Sequence, residues 1–142
     1  MELLEWTLTF AKHRHMMKGE LVKAEQKDSI IHVACKNNKS HDYFVSENLD
    51  HLNKLLESAS KSDKDSDYNV HLVCYNTKAN FKELLNLWQK FITHQRLTVY
   101  FVNPDSSTET KWIVKPWLHN RISDPASLET GLKSLFDTVE HV

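Results

Sequence analysis

Glycine, proline and cysteine are all scarce in this chain, at two, three and two of 142 residues. The two glycines, Gly19 and Gly131, are too far apart in sequence to share a turn. That excludes the Gly-x-Ser-x-Gly elbow of a nucleophilic hydrolase, a phosphate-cradling P-loop and a dinucleotide-binding fingerprint, each of which needs at least two glycines in one loop. The two cysteines, Cys35 and Cys74, stand among apolar neighbours in strand-like segments, where a free thiol behaves as a small buried hydrophobe and no disulfide is expected. A long hydrophobic run is missing too. Nothing approaches the roughly 20 residues of a membrane span, and the opening Met1-Glu-Leu-Leu-Glu5 has neither the cationic start nor the cleavage site of a secretory signal. Nor is there an excess of one charge: 18 Lys and Arg against 19 Asp and Glu give a net charge of −1, so no global basic field draws nucleic acid or an anionic membrane. The absences together lead us to expect a cytoplasmic chain and lean away from an enzyme.

What is present is a core. Hydrophobic residues make up 40% of the chain and aromatics 10%, enough for one domain at this length. The stretch from Tyr68 to Pro104 organises it. Two apolar runs, Val70 to Tyr75 and Leu97 to Val102, flank a segment in which Phe81, Leu84, Leu85, Trp88, Phe91 and Ile92 recur at helical spacing. Neighbouring parallel strands joined by a crossover helix form a right-handed unit, so both strands are expected to point the same way. Asn80 followed by Glu83 reads as a variant capping box opening that helix.

Upstream the signals are mixed. Leu4, Trp6, Leu8 and Phe10 alternate as in a strand, but a strand ending there leaves a connection to Lys18 without turn residues, whereas a helix stops naturally at Gly19. The helix is favoured. Residues 20–25 and 29–35 read as a hairpin turning through Gln26 to Asp28, and a third strand around 42–46 completes a meander. Asn48 or Asp50 caps a short helix carrying Leu52, Leu55 and Leu56, which gives way to a polar run at 58–67 expected to be a mobile surface loop. Downstream, Lys111 to Lys115 reads as an antiparallel return strand stopped by Pro116, and Asp124 with Pro125 opens a final helix on Leu128, Leu132, Leu135, Phe136 and Val139. Gly131 lies inside that helix, where a close approach to another backbone would explain it. The predicted order is helix (or strand), β-β-β-α-β-α-β-β-α: a single α/β domain with a mixed sheet, α+β being the alternative class.

Several residue groups suggest chemistry. Asn76, Thr77 and Lys78 end one central strand, and Asn103, Asp105 and Ser106 end the next. If the strands are adjacent, these groups converge beside a helix N-terminus, a setting for a small anionic ligand. The alternative is that both asparagines serve turn backbone. Lys115, Trp117, His119 and Arg121 gather a cation, an indole, an imidazole and a guanidinium in seven residues, a mixture suited to a protein interface or to nucleic acid. Asp63, Asp65 and Asp67 imitate the start of an EF-hand loop, but Tyr68 replaces its glycine and Cys74 its final glutamate. His13 and His15 diverge on a helix, which argues against a metal pair, and no metal site is expected.

The order helix, three-strand meander, helix, strand over about the first 75 residues resembles the core of the PD-(D/E)xK nuclease-like fold. That resemblance implies carboxylates holding Mg²⁺ or Mn²⁺ and a lysine beside the attacking water. The family's acidic-x-Lys tripeptide is missing: the second strand ends Ala34-Cys35-Lys36 and the third begins His41-Asp42-Tyr43. A site would have to be drawn from Glu25, Asp28 and Lys36. The sequence therefore points first to a non-catalytic domain acting by protein binding or self-association, with no cofactor. The alternatives are a degenerate metal-dependent nuclease-like protein that binds nucleic acid, and a binder of a small anion at the Asn76 and Asn103 edge.

Overall fold

A computed structural model describes residues 2–62 and 67–142, with side chains throughout except at 59–62. Helix α1 (Leu3–Met17) is followed by β1 (Leu21–Lys27), β2 (Ile30–Cys35) and β3 (Ser40–Val45), then α2 (Leu49–Ser62) and β4 (Tyr68–Tyr75). Helix α3 (Lys78–Phe91), β5 (Leu97–Val102), β6 (Lys111–Val114), α4 (Pro116–Ile122) and α5 (Leu128–Phe136) complete the chain. The six strands lie in sequence order in one mixed sheet. β3, β4 and β5 run parallel; the pairs β1–β2, β2–β3 and β5–β6 are antiparallel.

The two crossovers step the same way across the sheet, so right-handed connections put α2 and α3 on one face. There Leu52, Leu56, Leu84 and Phe91 pack with α5 residues Leu132 and Phe136 on Phe44, Leu72, Val99 and Phe101. Helix α1 alone covers the other face, over Ile31, Val33, Tyr43, Val45, Val73 and Tyr100. Its buried stripe, Leu3, Thr7, Ala11 and His15, repeats every four residues. Half of that stripe is polar, which explains why the segment shows no clear helical hydrophobicity.

The α/β mixed sheet and its element order match the sequence reading, and the favoured helix forms at the start. Three local details differ. Thr77 caps α3 by accepting from Asn80 N (3.1 Å), so α3 begins two residues before Asn80. The Asn80 amide instead accepts from Leu49 N and donates to Glu47 O and Tyr75 O, joining the starts of α2 and α3. The segment after β6 is the additional helix α4, with Pro116 in its first turn. Asp124 closes a turn on Ala126 N, which delays α5 to Leu128. Gly131 has no heavy atom within 4 Å of where a Cβ would sit, so no close backbone approach accounts for it. Of the polar run expected as a loop, 58–62 continue α2, and 63–66, with Asp63 and Asp65, lie outside the described residues. Among the described residues no helix is long and apolar enough to cross a membrane.

Candidate metal centre

The C-terminus of α1 ends in a Schellman motif. Gly19, with φ of 68°, donates to Met16 O (2.9 Å), and Glu20 N donates back to His15 O (3.2 Å). Reversing the chain in this way sets the Glu20 carboxylate against the His15 ring, with Oε2 2.7 Å from Nδ1. Under this helix end lies the β2–β3 turn. Asn37 and Asn38 take left-handed conformations (φ 64° and 61°) that the short asparagine side chain tolerates, and Cys35 N closes the turn on Lys39 O (2.8 Å). A register shift between Leu21 and Lys23 keeps β1 in step, with Leu21 opposite Cys35. Because side chains alternate along a strand, Cys35 and His41 both point at α1.

The result is a compact set of four donors: one atom each from His15, Glu20, Cys35 and His41 lies within 4.8 Å of every other. Cys35 Sγ is 3.8 Å from His15 Nδ1 and 3.7 Å from Glu20 Oε2. A tetrahedral zinc ion holds imidazole, thiolate and carboxylate donors roughly 3.3 to 3.6 Å apart, given its bond lengths. The four therefore need to close by no more than about 1 Å to share one ion.

Both imidazoles are oriented from behind. His15 Nε2 is 2.8 Å from the Tyr43 hydroxyl, leaving Nδ1 for the centre. His41 Nδ1 is 2.9 Å from His71 Nε2, His71 Nδ1 is 2.9 Å from the Tyr100 hydroxyl, and Arg14 donates to that hydroxyl at 2.9 Å. If His41 Nδ1–H donates to His71 and His71 Nδ1–H donates to Tyr100, His41 Nε2 keeps its lone pair for a ligand. Outer hydrogen bonds of this kind fix the tautomer and aim of metal-binding histidines.

Burial sets the charge states. It lowers His15, pulls His41 down to about 4 and holds His71 well below its ordinary value, so all three rings are neutral at pH 7. Burial also pushes the Cys35 thiol up to about 11 and the Tyr100 hydroxyl up to about 12. The hydrogen bond from His15 holds the Glu20 carboxyl below its usual range. A divalent cation would reverse the Cys35 preference, since a coordinating thiol is deprotonated outright.

The other groups singled out from sequence fall elsewhere. β4 and β5 are adjacent and parallel, so Asn76 and Asn103 do meet at one edge. What they meet is the chain's own C-terminal segment. Asn76 is fully buried and donates to Phe136 O (3.2 Å) and Val139 O (3.0 Å), while its Oδ1 accepts from Trp112 Nε1 (2.8 Å). Asn103 donates to Glu140 O (3.0 Å) and accepts from Asp105 N, and Ser106 accepts from Glu140 N. Thr77 is spent as a cap, and Lys78 is exposed on the first turn of α3.

Lys115 precedes α4, and Trp117, His119 and Arg121 lie on it, with Arg121 stacked 4.5 Å above the Trp117 ring and His119 Nδ1 buried without a hydrogen bond. Glu25 and Asp28 sit toward the β1–β2 turn, whereas Lys36 lies past the far end of β2, four residues beyond Glu25's partner His32. At roughly 3.3 Å per residue, Lys36 cannot join them. Glu25 and Asp28 instead line a cavity of about 360 Å³ with His32 and Asp42. His13 is exposed and turned away from His15, as the helix predicts, and the ligand partners of His15 come from the meander.

No family model, no curated protein and no solved structure matches this chain.

Proposed function

We propose that this domain binds a zinc ion through His15, Glu20, Cys35 and His41, and that the ion fastens α1 to the meander. The reading is carried by the convergence of four donors within 4.8 Å, with both imidazoles held from behind by Tyr43 and His71. A mixed nitrogen, sulfur and oxygen set suits zinc better than Mg²⁺ or Ca²⁺, which prefer all-oxygen shells. Two of the ligands come from the helix end and two from strands, so the ion acts as a cross-link and its binding energy adds to folding. A cytoplasmic setting, our reading of the composition, would keep Cys35 reduced for this role.

Competition against a chromophoric zinc chelator tests it. One equivalent should bind, His41→Ala and Cys35→Ser should abolish tight binding, and Tyr43→Phe should weaken it about tenfold by releasing His15. Equal zinc affinity in the wild-type protein and both ligand variants would refute the assignment.

A second reading concerns α4. Leu118 and Ile122 are 45% and 72% exposed there, beside the stacked Trp117 and Arg121. This favours a protein partner at the segment containing Lys115, Trp117, His119 and Arg121, in keeping with a domain that acts by binding. Ile122→Asp should abolish that association while leaving zinc affinity intact.

A further inference from the structure

The electrostatics around the proposed centre are unbalanced. Once zinc is bound, its two positive charges are cancelled by the Cys35 thiolate and the Glu20 carboxylate. Three cations remain around it. Lys18 acts on the charge of all four donors, Arg14 acts on both histidines, and Lys39 acts on Cys35. None of the three forms an ion pair with another described residue, and the only hydrogen bond from the Arg14 guanidinium goes to the neutral Tyr100 hydroxyl. A cation site surrounded by cations repels its own ion unless an anion comes with it.

Access to the ion lies on the Glu20 side. His15 is fully buried, whereas the Glu20 side chain is 21% exposed and His41 is partly exposed. Zinc readily gives up a carboxylate ligand or expands to five-coordination when an outside ligand arrives.

Resting on the zinc reading, we propose that the metal-bound centre takes a small phosphate-bearing anion, with one oxygen on the metal at the Glu20 side and the others among Arg14, Lys18 and Lys39. A phosphate group carries close to two negative charges at pH 7 and several acceptor oxygens, which suits three cations around one metal. The overall net charge of −1 supplies no wider basic surface for a polyanion, so the ligand is a single phosphate group, free or as a monoester.

The test uses the full chain loaded with Co²⁺, whose visible spectrum reports coordination number and a thiolate ligand. Inorganic phosphate and, separately, an alkyl phosphate monoester are titrated in at constant ionic strength. The proposal expects a saturable spectral change with cobalt retained, and whichever ligand saturates at the lower concentration identifies the source. Lys18→Ala should weaken that response about two- to fivefold, as for an exposed charge, and at the same time tighten Co²⁺ binding in phosphate-free buffer. A merely structural lysine would not move the two affinities in opposite directions.

If cobalt binds with its thiolate band but the spectrum ignores both ligands, the anion proposal fails and the zinc reading stands. If no thiolate band forms, the zinc reading fails, and this proposal with it. Phosphate stripping cobalt from the protein, or a single-stranded oligonucleotide binding more tightly than the monoester, would also overturn the proposal.

Discussion

Strand β4 carries a buried polar knot at each end. At its carboxyl end, Asn76 bonds to the backbone carbonyls of Phe136 and Val139 and to Trp112, and nothing is left to offer a ligand. At its amino end, His71 continues a chain of hydrogen bonds through His41 toward His15, Glu20 and Cys35, whose donor atoms turn inward on one point. A buried polar group costs stability unless it is paired, and the first knot meets that requirement internally. The second meets it only in part with protons and more fully with a metal. The difference separates a structural latch from a binding centre built from similar residue types.

The largest expected effect breaks the latch. Asn76→Ala strands the Trp112 indole N–H and several C-terminal carbonyls in the core, and should cost about 3 kcal/mol or more in chemical denaturation. The loss should be equal with and without zinc. A loss that zinc largely restores would mean the two ends of β4 are not independent.

Acid sharpens the contrast at the other end. His41 and His71 are held below their ordinary values by burial, so the unfolded chain takes up more protons than the folded one as pH falls. Stability of the metal-free protein is therefore complete above the unfolded histidine value of about 6.5 and declines as pH drops toward 4. Denaturation midpoints across that range should fall, and His41→Ala should flatten the slope. The Asn76 latch contributes no such dependence.

Smaller effects come from the two glycines. Gly19→Ala forces a side chain into a left-handed backbone and should cost about 1 kcal/mol, while also weakening zinc because the same turn places Glu20. Gly131→Ala meets open space inside α5 and should stabilise by up to about 1 kcal/mol, with zinc affinity unchanged. Matched calorimetry and chelator titrations distinguish the two.

The fold was legible where hydrophobic period and crossover chirality act together. The Tyr68 to Pro104 unit, the meander and the mixed sheet all follow from apolar spacing, and the parallel pairing of β4 with β5 brings Asn76 and Asn103 together as expected. Helix limits were less legible: Thr77 and Asn80 are both good caps, and only tertiary packing draws the Asn80 amide toward Leu49 and Glu47. The metal centre was not read from the sequence because its ligands do not form a local motif. His15, Glu20, Cys35 and His41 belong to a helix stripe, a helix cap and two strands, with irregular intervals. The signal was alternation: Ile31, Val33 and Cys35 share a face, as do His41, Tyr43 and Val45, so a histidine and a cysteine fall on apolar, inward-facing positions of adjacent strands.

Zinc K-edge X-ray absorption on the protein loaded with one equivalent of zinc tests the central claim most directly. The account predicts one sulfur at about 2.3 Å, and imidazole nitrogens and an oxygen at about 2.0 to 2.1 Å, with the sulfur shell lost in Cys35→Ser. A shell of five or six light atoms without sulfur, unchanged by that substitution, would contradict it.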